Sequence, residues 1–87
     1  MTVALIVVII GFVIGLSAVE WLFIITAIML VLITEAINTA IENTVNLVTG
    51  KFHPLAKKAK DISAFSVLLA SIYAVIVGLI IFLPYLI

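Results

Sequence analysis

The chain has 87 residues, of which 68% are hydrophobic and 9% charged, and its formal net charge is zero. So short a chain cannot bury that much apolar surface within itself, which excludes an ordinary soluble domain and points to lipid as the solvent. Zero net charge gives no electrostatic case for nucleic acid. Without cysteine there is neither a disulfide framework nor a thiolate metal site.

The opening "MTVALIVVII" has no positive leader and no small-residue cleavage pattern, so it reads as a membrane helix rather than a signal peptide. The first apolar run, Thr2 to Leu16, reaches only ~22 Å at the helical rise. That is a thin span against ~30 Å of hydrocarbon. "GLSAVEW" follows: Gly15 and Ser17 break the run, and Glu20 and Trp21 mark an interface. The second helix is uncharged from Trp21 to Thr34 and continues as a polar helix to about Val48. "TGKFHP" stops it, Gly50 suiting a helix C′ position and Pro54 the first turn of the next helix. The third is apolar from Ile62 to the end, interrupted by Ser63, Ser66 and Ser71.

The expected architecture is therefore all-α: one polytopic membrane domain of three transmembrane helices, about 2–16, 20–48 and 54–84. All four lysines lie between Lys51 and Lys60. The positive-inside rule then puts the second connection and the N-terminus in the cytoplasm.

On the second helix, Glu35, Asn38, Thr39, Glu42 and Asn46 recur at helical spacing and share one face. Glu35 lies 14 residues beyond Trp21, ~21 Å below the outer interface and still at lipid depth. Glu42 is two turns nearer the cytosol. With Lys51 as the midpoint of the turn, Lys60 and Asp61 should stand level with Glu42. The expectation is a polar cluster of Glu42, Asn46, His53, Lys57, Lys60 and Asp61, with Glu35 alone above it.

Most of these residues also have a structural reading. Lys57 and Lys58 suit snorkelling topology determinants. His53 can be simple loop. Asn38 and Thr39 can be interhelical glue, at ~0.6–2 kcal/mol each. Glu35 resists such a reading. An acid at depth costs ~2.5–3.5 kcal/mol, and no basic residue lies within a helical turn of it. Such a group is suited to accept a proton from a lipid alcohol, while Glu42 could hold Mg²⁺ with nucleotide phosphates. Phosphoryl transfer needs little more than positioning and charge stabilisation. There is no Walker glycine loop and no protein-kinase signature.

"EAINTAIENTVN", "HPLAKKAKD" and "VGLIIFL", in this order and with "GLSAVEWL" upstream, resemble the small bacterial membrane kinases of the diacylglycerol kinase/undecaprenol kinase family. The resemblance covers essentially the whole chain, and "HPLAK" and "LSAVEW" look more like the Gram-positive undecaprenol kinase branch. It implies a homotrimer in the bacterial cytoplasmic membrane, with active sites between protomers near the cytoplasmic face. It implies transfer of the γ-phosphate of MgATP to undecaprenol or diacylglycerol.

By motif, Glu35 matches the general base and Asn38 the polar residue supporting it. Glu42 matches a Mg²⁺ ligand that also contacts nucleotide, and Lys60 and Asp61 the nucleotide-binding pair. Lys51, Phe52 and His53 fall where the family's turn touches ATP, and Trp21 and Ala64 at lipid-substrate positions. Asn46 departs from the family's Asp. The family also has a surface helix with another acidic metal ligand before the first span, and this chain starts just after its place. The expectation is thus either a truncated form or a fold kept without full activity, with weak metal binding and low or absent kinase activity.

The competing reading is a small proton- or ion-coupled transport subunit using Glu35. It leaves Glu42, Lys60 and Asp61 without a purpose.

Overall fold

In a computed structural model, which describes residues 2–87, the chain forms three helices: α1 (Thr2–Ile14), α2 (Ala18–Val48) and α3 (Pro54–Leu86). α2 and α3 pack along each other as an antiparallel pair and form the frame, with α1 laid against it. The molecule is a rod of 51 × 18 × 17 Å. α2 and α3 are both long and apolar enough to cross a membrane. α1, at 13 residues, rises only ~20 Å.

The α1–α2 corner explains where these helices end. α1 stops at Ile14, two residues short of the sequence expectation, because Gly15 takes a left-handed φ of 80°. Without a Cβ it does so at no steric cost, and its N–H and that of Leu16 both close on the Gly11 carbonyl. α2 then starts at Ala18 rather than Glu20, because Ser17 and Glu20 form a capping box. Ser17 Oγ accepts from the Glu20 N–H at 3.3 Å, and Glu20 Oε1 accepts from the Ser17 N–H at 3.0 Å. Glu20, expected only as an interface marker, is thus a capping group.

At the other corner Gly50 is not a left-handed C′ residue. α2 closes at Thr49 in extended backbone, and Gly15 is the one positive-φ residue described. Pro54 opens α3 as expected, with His53 as its N-cap: Nδ1 accepts from the Leu55 N–H at 3.1 Å. α3 runs on through Pro84 to Leu86. A proline so close to the end removes one of the last hydrogen bonds, so the helix ends without breaking earlier.

The buried apolar residues are few: Leu16, Ile24, Ala27, Ala70, Val77 and Ile81. Large side chains such as Phe12, Val13, Ile80 and Leu86 face outward. That surface is stable when lipid or a neighbouring chain covers it, since every spanning backbone group is bonded within its own helix.

Where α1 meets α2, Trp21 lies over Gly11 and packs on Phe12, ring centroids 4.9 Å apart. A Cβ on Gly11 would sit 2.7 Å from the Trp21 ring. Gly11→Val is therefore expected to push the indole off α1. Trp21 is the only tryptophan, so a changed emission maximum and lower anisotropy would report the displacement. An unchanged spectrum would contradict this packing.

Candidate functional site

The polar stripe of α2 lies partly along the seam with α3 and partly toward α1. Glu35 is its uppermost member. It lines a groove of about 500 Å³ bounded by all three helices, including Val7 of α1, Val31 and Leu32 of α2, and Gly78 and Phe82 of α3. Glu35 is the only ionisable side chain in that lining. In the single chain it is exposed, open to whatever enters the groove.

One turn toward the α2–α3 turn, Asn38 is half-buried in the seam. Its Nδ2 donates to Glu42 Oε1 at 3.3 Å. Its Oδ1 accepts from Ser63 Oγ, on α3, at 2.5 Å. Ser63 is 4% exposed and is the only polar residue buried in the fold among the described residues. In the sequence Ser63 reads as an interruption in an apolar run. It is the residue that ties Asn38 to α3.

Lys60 and Asp61, expected level with Glu42, do not bond it in the single chain. Lys60 Nζ donates to Asn46 Oδ1 at 2.6 Å, one turn nearer the α2–α3 turn. Asp61 pairs with Lys57 on its own helix at 2.7 Å. The cause is side-chain direction. Every Cα–Cβ bond tilts toward its helix's N-terminus, so Lys60 leans toward the turn while α2 side chains lean away from it. Lys60 therefore meets Asn46, and Glu42 meets Asn38. The exposed Lys57–Asp61 pair adds at most ~1 kcal/mol.

Around the turn these groups line a second hollow of about 420 Å³. Lys51, Phe52, His53, Lys60 and Asp61 all border it, together with Asn46 and Lys57. Glu42 does not. The hollow thus gathers five of the six residues expected at nucleotide, and Lys57, expected in the polar cluster but not at nucleotide, joins them. His53 serves α3 as its cap while facing the hollow.

The two residues expected at lipid-substrate positions stand apart. Trp21 is ~21 Å from Glu35 along α2, engaged with Gly11 and Phe12. Ala64 is exposed on α3, next to Ser63. At the Trp21 end, Tyr85 OH donates to Glu20 Oε1 at 2.6 Å, linking the end of α3 to the start of α2.

Among the described residues no three acidic or histidine side chains converge to hold a metal. Glu42 has one oxygen bonded to Asn38 and offers the other freely. A single hard oxygen ligand suits Mg²⁺, which takes one or two carboxylates with substrate phosphates and water.

The chain is similar to three kinases of bacterial origin. An undecaprenol kinase of Bacillus subtilis is 49% identical over 74 residues, 85% of this chain and 60% of that protein. A diacylglycerol kinase of Synechocystis is 55% identical over 56 residues, 63% of this chain and 32% of that protein. A diacylglycerol kinase of Escherichia coli is 40% identical over 60 residues, 69% of this chain and 49% of that protein. The chain spans at most 60% of the length of these three. The family model for prokaryotic diacylglycerol kinase matches residues 1–82, nearly the whole membrane pair with its capped corners and polar seam, and the chain belongs to that family.

Proposed function

We propose that the chain acts as a three-helix membrane lipid kinase that moves the γ-phosphate of ATP to the hydroxyl of a membrane lipid alcohol. The observation that carries this reading is the order of sites along α2. An apolar groove with one carboxylate lies above the Asn38–Glu42 pair, and a lysine-bearing hollow lies below it. An oily substrate and a watery, anionic one are thereby received at opposite ends of one seam.

In this reading the lipid tail lies in the groove and its hydroxyl meets Glu35. The Glu35 carboxylate takes the hydroxyl proton as the lipid oxygen bonds to the γ-phosphorus. The bond from that phosphorus to the β,γ-bridging oxygen breaks, and ADP leaves with the electron pair. Lys60, with Lys51 and Lys57 about the hollow, offsets phosphate charge. Asn38 holds the Glu42 carboxylate in place, and Glu42 is the residue that would hold Mg²⁺ against the nucleotide. The metal's contribution is to offset charge on the phosphates. Nothing in this scheme requires an acidic residue at position 46, since the Asn46 carbonyl oxygen already anchors Lys60.

The lysine-rich turn, by the positive-inside rule, favours a hollow that faces the cytoplasm, where ATP is available. We further propose a homotrimer. The apolar outer surface is extensive, and one chain supplies Glu42 as a lone ligand. Native mass spectrometry from detergent should give a mass three times that of the 9.4 kDa chain. A monomer throughout would contradict it.

The test of function is transfer of label from γ-labelled ATP in mixed micelles containing undecaprenol or diacylglycerol side by side. The "HPLAK" and "LSAVEW" segments and the similarity to the undecaprenol kinase favour undecaprenol as acceptor. Label on neither lipid, from a chain that also fails to bind MgATP, would overturn the proposal.

A further inference from the structure

Three side-chain hydrogen bonds cross between α2 and α3: Tyr85 to Glu20, Lys60 to Asn46, and Ser63 to Asn38. The first two lie at exposed ends. Ser63 to Asn38 is inside the seam, and it bears directly on Glu42. A carboxamide has two faces of opposite character, and which one meets Glu42 matters. An ionised carboxylate can only accept, so it must face the Asn38 NH₂. The Asn38 carbonyl oxygen then faces α3, where it needs a donor.

Ser63 Oγ supplies that donor. Its hydroxyl has one proton and two partners in reach, Asn38 Oδ1 at 2.5 Å and the Lys60 carbonyl at 3.0 Å. Giving the proton to Asn38 fixes the amide with its NH₂ toward Glu42. Giving it to Lys60 would leave the amide free to turn and present its oxygen to the carboxylate. Because Ser63 is 4% exposed, water does not readily take over either task.

We propose that Ser63 is a positioning residue: through the Asn38 amide it holds Glu42 with one carboxylate oxygen engaged and the other presented to MgATP. This rests on the nucleotide reading of Glu42 given above. Ser63 itself touches no substrate. The device works because the three groups are bonded in series across two helices, so α3 sets the orientation of a side chain on α2.

The experiment is equilibrium binding of MgATP to the full chain in micelles, for wild type, Ser63→Ala, Asn38→Ala and the double variant. Ser63→Ala should weaken binding about 3- to 10-fold, the scale of one buried hydrogen bond. In the Asn38→Ala background the same change should have no further effect. A second readout is the Asn38 side-chain NH₂ resonance in ¹⁵N spectra, identified by its loss in Asn38→Ala. It should shift in Ser63→Ala without nucleotide present. A residue that merely packs would lower thermal stability and leave both readouts unmoved.

Unchanged affinity in Ser63→Ala, a loss that adds to that of Asn38→Ala, or an unmoved amide resonance would overturn this proposal while leaving the kinase reading intact. Failure of the wild type to bind MgATP would overturn both.

Discussion

Glu35→Gln is expected to reduce lipid phosphorylation by ~10²- to 10⁴-fold, the usual contribution of a positioned general base. The exchange preserves size and polarity and removes only the proton acceptor. It should leave MgATP binding unchanged, since Glu35 does not border the turn hollow and lies ~16 Å from Asn46 along α2. Stability should hold or rise, because an acid at lipid depth costs ~2.5–3.5 kcal/mol relative to a residue that lipid accepts. Loss of rate together with equal or greater stability is the pattern of a residue kept for chemistry rather than for packing. Measuring label transfer and the thermal unfolding midpoint on the same preparation separates the two. Equal loss of both would make Glu35 a structural residue.

Lys60→Met should weaken MgATP binding ~10- to 100-fold, the worth of a charge-assisted hydrogen bond of ~1.5–3 kcal/mol. Lys60 is the half-buried lysine of the turn region, its ammonium held over the hollow by Asn46. Methionine keeps much of the stem that packs along α3 and removes the charge. Lys58→Met makes the same change in net charge. Lys58 is exposed and lies outside the hollow, so it should cost little. Protection by MgATP against thermal unfolding provides the comparison. Equal loss in the two variants would mean that net positive charge, not the Lys60 position, attracts nucleotide.

Much of the architecture was legible because apolar runs and lysine placement are one-dimensional signals. The run lengths gave three helices, and "TGKFHP" located the second turn. The helical period put Glu35, Asn38, Glu42 and Asn46 on neighbouring turns of one helix. What escaped was directional. Counting residues from Lys51 set Lys60 level with Glu42, but levels ignore the opposed tilt of side chains on antiparallel helices. Lys60 accordingly bonds Asn46. Ser63 escaped for a different reason: one hydroxyl in an apolar helix carries no pattern, and only the partner across the seam reveals its use. The Ser17–Glu20 capping box was readable from its S-x-x-E spacing, but the interfacial reading of Glu20 and Trp21 obscured it.

The same directional effect separates the candidate site into two layers. Glu42 and Asn38 face each other within the seam, and the lysines gather beneath them. Such a division suits a reaction joining a lipid to a nucleotide, because neither substrate has to leave its own solvent. At position 46 an uncharged amide carbonyl fixes the ammonium of Lys60 at 2.6 Å.

Locating the lipid headgroup is the most direct trial of this account. A lipid alcohol analogue whose hydroxyl is replaced by a carboxylate-reactive diazo group would esterify the acid it meets, and peptide mass spectrometry would identify that acid. The arrangement predicts an ester on Glu35, suppressed by excess unlabelled lipid alcohol. Modification chiefly of Glu20 or Glu42, or labelling of Glu35 that the natural alcohol fails to suppress, would contradict it.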